Sequence, residues 1–113
     1  MTLTAKDVVV TREARADLEG LRSGGDAASL AVAERVALRR TTLRADCLAR
    51  SWLVGAGVPT PILARFAPDN VHVESLPHGW WMLYTVVRRD RDRFVVLLRI
   101  ADPSTYRGWF PGA

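Results

Sequence analysis

The chain opens on a short β-branched run, Asp7 to Thr11 (DVVVT), whose length and composition suit one strand, with Thr11 placed to cap a following helix. Between Arg12 and Arg22 the apolar residues Ala14, Leu18 and Leu21 recur on one helical face, and Glu13 lies near the positive end of the helix dipole. Ser23-Gly24-Gly25 stops that helix, and Asp26 is placed to cap a second. There the stripe Ala27, Leu30, Ala31, Leu38, Ala45, Leu48 and Trp52 keeps helical phase as far as Val54, predicting one long helix or two nearly collinear ones. Arg35, Arg39 and Arg50 fall on the opposite side, with Arg40 and Arg44 further round the cylinder, as expected of a solvated face.

Gly55 to Asn70 holds two glycines and three prolines and reads as a connector in which Ile62 to Phe66 alone looks packed. Beyond it the apolar period changes to two. Val71 to Leu76 predicts a strand, Pro77-His78-Gly79 a turn, Trp80 to Val87 a second strand, Arg88 to Arg93 a charged turn and Phe94 to Ile100 a third strand. His72, Glu74 and Leu76 alternate onto one face of the first of these, and Val71, Val73 and Ser75 onto the other. Trp80 and Trp81 likewise point to opposite faces. One of them is core and the other needs cover, either from a partner in a binding groove or from Trp109 and Phe110 folding back. Ala101-Asp102-Pro103 ends the meander and leaves an aromatic tail, Ser104 to Ala113. The order β-α-α-β-β-β predicts an α+β fold, a helical pair packed on one face of a small, mainly antiparallel twisted sheet.

At 113 residues the chain fits one domain over 1–113, and 49% hydrophobic with 25% charged residues is an ordinary globular composition. The formal charge is +4, and the basic residues are fifteen arginines and a single lysine, Lys6. Arginine grips phosphate or carboxylate bidentately, so this bias fits RNA, DNA or an acidic partner; a GC-rich genome explains it equally well. One cysteine, Cys47, excludes an internal disulfide, and no His/Cys spacing suits a metal, so no metal or cofactor is expected. Neither a secretory signal nor a membrane-length apolar stretch is present, and a cytoplasmic location is expected.

Metal-free RNA cleavage needs a base for the 2′-hydroxyl, an acid for the leaving oxygen and cations for the extra phosphorane charge. His72 and Glu74 are the candidate bases, and Tyr106 the candidate acid or stacking platform. Arg99 interrupts the apolar strand beside Val95 and Leu97, a costly place for a charge unless it pairs, reaches water along its stem, or meets Asp102. Tyr106 and each histidine also admit a purely structural reading, and Cys47, with no basic neighbour, reads as packing.

A small chain of this order, with DVVVT and its helix, the hairpin stretch Leu76-x-x-Gly79-Trp80-Trp81-Met82-Leu83-Tyr84, and VVLLRIADPSTY before the C-terminus, resembles the RelE/ParE toxin superfamily. The resemblance implies the toxin of a type II toxin–antitoxin pair. RelE-type members cut messenger RNA on the ribosome, ParE-type members inhibit DNA gyrase, and both are held by a cognate antitoxin, implying a toxin–antitoxin hetero-oligomer. On the RelE reading, Arg99 with Arg65 or Arg88 clamps phosphate, His72 or Glu74 is the base, Tyr106 the acid, and Trp81 and His78 contact RNA. The resemblance is incomplete. Trp81 stands where the family's interferases typically have an arginine, and His72 and Glu74 stand near positions that commonly hold lysines, while the terminal tyrosine is kept as Tyr106. The missing arginine at Trp81 favours the alternative, a non-catalytic binding protein that inhibits gyrase or only engages its antitoxin; the RelE-type endoribonuclease still ranks first, because active sites in this superfamily vary on a steady fold.

Overall fold

A computed structural model of the protein describes residues 4–47, 52–54 and 71–109. Strand β1 (Asp7–Val10) leads into helix α1 (Arg12–Gly24), whose Thr11 cap accepts from the Ala14 N–H and so satisfies one of the open donors of the first turn. Gly25, at φ 72°, turns the chain into helix α2 (Ala27–Ala45), where the Asp26 side chain accepts from the Ser29 N–H. Strands β2 (Trp52–Val54), β3 (Val71–Ser75), β4 (Trp81–Arg89) and β5 (Asp92–Ala101) follow, and helix α3 (Pro103–Trp109) closes the described chain.

The sheet runs β1-β5-β4-β3-β2, with β1 parallel to β5 and the other pairings antiparallel. It is the expected α+β architecture, with α1 and α2 packed on one face. Ala14, Leu18 and Leu21 of α1 and Val32, Ala33, Val36 and Leu43 of α2 close over Val8, Met82, Tyr84, Val95, Leu97 and Ile100. The opposite face, called here the far face, has a smaller core of Val71, Val73, Leu83 and Leu98, against which Trp81, Val96, Tyr106 and Trp109 pack.

Three expectations are corrected. The second helix ends at Ala45, where Asp46 turns extended, and Trp52–Val54 pairs with Val71–Val73 as a strand. Its buried stripe is also a different one: Leu30 and Leu38 are 43% and 60% exposed while Val32, Ala33, Val36 and Leu43 are buried against the sheet. Arg39 flanks that stripe and points to the sheet instead of to solvent. The third correction concerns β5. Tyr84 pairs with Leu97 but Leu83 pairs with Arg99, so Leu98 is an extra residue in a bulge. A bulge inverts the alternation beyond it. Thr11 holds it in place, with its N–H donating to the Leu97 carbonyl at 3.1 Å and its hydroxyl to the Leu98 carbonyl at 3.0 Å. Arg99 is thereby moved off the face of Val95 and Leu97 and onto the far face with Leu83.

Candidate functional site

The candidate residues fall into two groups separated by the thickness of the sheet. On the helix-covered face, His72 lies directly opposite Tyr84 in the β3–β4 register, and the two rings stack with centroids 5.0 Å apart at 9°. His72 is only 7% exposed. Burial pushes its imidazole below the usual histidine range, with the nearby Glu74 charge opposing that shift. Glu74, two residues along the same face, accepts from Arg39 of α2 through both carboxylate oxygens, each at 2.7 Å, and Arg39 also donates to the Thr42 hydroxyl at 2.8 Å. Burial works against the Arg39 charge, but Glu74 outweighs it and holds the guanidinium above its ordinary range. The base candidate Glu74 is therefore committed to an ion pair that ties α2 to β3.

On the far face, Trp81 and Tyr106 stack with centroids 4.4 Å apart at 10°. Burial raises the Tyr106 phenol above its usual value, which keeps it protonated and makes it a weaker acid. Arg99 lies nearby, its guanidinium 5.0 Å from the Trp109 ring centre, an arrangement of the cation–π kind. Its partner is Asp17, which reaches round the edge of β5 from α1, beyond the end of β1. Asp17 accepts from Arg99 Nε at 2.8 Å and Nη2 at 3.2 Å, and from the Ile100 N–H at 2.9 Å. Of the alternatives for Arg99, a pairing with Asp102 is not made; Asp102 instead caps α3 by accepting from the Thr105 N–H at 2.7 Å.

The structure thus brings Arg99, Tyr106 and Trp81 to one face and places His72 and Glu74 on the other. The far-face positions of β3 beside Trp81 and Leu83 are Ser75 and Val73, with Val71 beside Thr85 further along. Arg88 lies at the distal end of the β4–β5 hairpin, opposite Arg93, seven residues from Trp81 and so roughly 23 Å along an extended strand. His78 is exposed in a 3₁₀ turn (Pro77–Gly79) at φ 61°. Arg65 lies outside the described residues. Trp109 covers the far face, as one of the two expectations for the paired tryptophans had it, and Phe110 is outside the described residues.

A cleft of about 280 Å³ beside Arg99 is lined by Asp17, Ser29, Trp80, Asp102 and Thr105 among others. A phosphate entering it would meet two carboxylates, one already holding the guanidinium. Asp17 has a structural role here that its sequence position does not single out, and Arg39, expected on a solvated face, ties α2 to β3 instead. For Asp17 the only signal was that an arginine in an apolar strand needs a partner, which names no partner. Among the described residues no group of three or more His, Cys, Asp or Glu side chains is placed to hold a metal, and no helix is long and apolar enough to cross a membrane. Compared with models of known protein families, with curated proteins and with solved structures, the chain finds no significant match.

Proposed function

We propose that this chain is a RelE/ParE-like toxin component that acts in the cytoplasm by binding a protein target, and that it is held by a cognate antitoxin. The observation that supports binding over RNA cleavage is the division of the candidate catalytic set. His72 and Glu74 face the helices, while Arg99 and Tyr106 share the far face, so no single phosphate can meet base, acid and clamp together. Of the candidate cations, Arg99 is engaged by Asp17 and stands over Trp109. The far face offers stacked aromatics and aliphatic side chains instead, the surface chemistry of a protein contact.

One observation favours the competing reading, in which the protein cuts ribosome-bound message: Arg99 and Tyr106 lie on the same face. A DNA gyrase supercoiling assay, run alongside induction of the chain in a bacterium, separates the two. The binding reading expects growth arrest with intact message, relieved by co-expressing a cognate antitoxin. Inhibited supercoiling would identify gyrase as the target. Arrest accompanied by cleaved message would overturn the binding reading.

A further inference from the structure

We infer that the groove between α1, α2 and the outer edge of β1 is a docking site for an acidic, apolar-containing segment of a partner polypeptide. Strand β1 is an edge of the sheet, and two clefts run along it. One, of about 340 Å³, lies between β1 and the C-terminal half of α2, with Val8 and Ala37 in its wall and Arg40 and Arg44 beside them. The other, of about 300 Å³, lies between the end of β1 and α1, with Val10 and Leu18 in its wall and Arg15 and Arg22 beside them. Arg40 lines both and joins them into one path.

Helical spacing explains the clustering. Arg15 and Arg22 are seven residues apart on one flank of α1, Arg40 and Arg44 four apart on one flank of α2, and the helix pairing turns these flanks toward each other. None of the four arginines makes an ion pair with a described residue, in contrast to Arg39 and Arg99, whose pairs fix tertiary structure. Among the described residues two carboxylates share the groove, Glu19 and Asp7, and one oxygen of Asp7 accepts from the Val8 N–H at 2.8 Å. Positive charge is therefore in excess and not neutralised within the groove.

The same lining favours polypeptide over nucleic acid. Among the described residues no aromatic side chain stands in either cleft for a base to stack on, the described walls are aliphatic, and the interleaved carboxylates oppose a continuous polyanion. Carboxylates spaced along an extended or helical segment can meet the arginines while intervening apolar side chains fill the clefts. The site lies away from the Trp81–Tyr106 face, and the inference stands whether or not the protein is found to cut RNA.

The test is fluorescence anisotropy on the full chain with a labelled peptide of alternating glutamate and leucine, and, in parallel, labelled oligothymidylate of equal charge. The expected result is peptide binding that weakens with salt and falls roughly tenfold or more in Arg40→Glu/Arg44→Glu. The control Arg88→Glu/Arg89→Glu carries the same change in net charge at the distal hairpin and should lose far less. Arg15→Glu/Arg22→Glu on α1 should repeat the loss, which keeps the test valid if the α2 variant fails to fold. Absence of peptide binding, equal losses in the groove and hairpin variants, or tighter binding of the oligonucleotide through Arg40 and Arg44 would each overturn the inference.

Discussion

Removing the Asp17 carboxylate separates two contributions that meet at one residue. In Asp17→Ala the Ile100 N–H, on a residue only 2% exposed, loses its acceptor at the edge of β5. An orphaned buried donor costs about 1–3 kcal/mol. The ion pair with Arg99 is lost as well, but the two side chains are 33% and 17% exposed, and solvent screening limits that part to about 1 kcal/mol. Together they predict a loss of about 3 kcal/mol, a fall in Tm of about 13 °C for a domain of this size. Asp17→Asn retains an acceptor for Ile100 and should lose only about 1 kcal/mol. Urea unfolding of the two variants, with Arg99→Ala and the double mutant completing a cycle, measures each part. If Asp17→Ala stays within about 0.5 kcal/mol of wild type, the edge-capping argument is wrong. If both variants lose equally, charge rather than the backbone acceptor dominates.

Gly79→Ala should destabilise by about 1–2 kcal/mol, because φ 77° is left-handed and the added Cβ would sit 3.2 Å from Pro103 Cγ at the start of α3; an unchanged urea midpoint would contradict this. His72 is held neutral by burial, so the unfolded chain binds more protons than the fold below the ordinary histidine value of 6.5. Its contribution to stability is therefore full above that pH and is lost as pH falls toward the depressed folded value. His72→Phe, which keeps a ring against Tyr84, should flatten the decline between about pH 7 and pH 5 relative to wild type, and superimposable profiles would remove the basis for it. Cys47 is fully buried and burial raises its thiol, so it should react with maleimide only on unfolding. Rapid labelling of the native protein would show that the packing around it is different.

Local rules suffice as far as the start of α2, but not for the face of α2 that is buried. The caps Thr11 and Asp26, the apolar face of α1 and its stop at Ser23-Gly24-Gly25 are each set by neighbours within a few residues and are legible in the sequence. The end of α2 is not. Leu48 and Trp52 continue the apolar phase of the helix, and only pairing of Trp52–Val54 with β3 makes that stretch a strand, which is a tertiary choice. The alternation of β3 is legible, with His72, Glu74 and Leu76 on one face and Val71, Val73 and Ser75 on the other, but only the tertiary structure shows that the first face is the one the helices cover. Arg99 was legible as an anomaly but not in its placement. No glycine or proline marks the bulge at Leu98, so strict period-two reading put Arg99 on the wrong face and could not point to Asp17. The separation of the candidate catalytic residues follows from that one extra residue together with the alternation of β3.

The most direct measurement is primer extension on message bound to purified ribosomes after incubation with the protein. With His72 and Glu74 on one face of the sheet and Arg99 and Tyr106 on the other, full-length extension products are expected, identical with and without the protein. Discrete breaks in the message that disappear with Tyr106→Phe or Arg99→Ala would show that a cleavage site is assembled on the far face without the two bases, and would contradict the account.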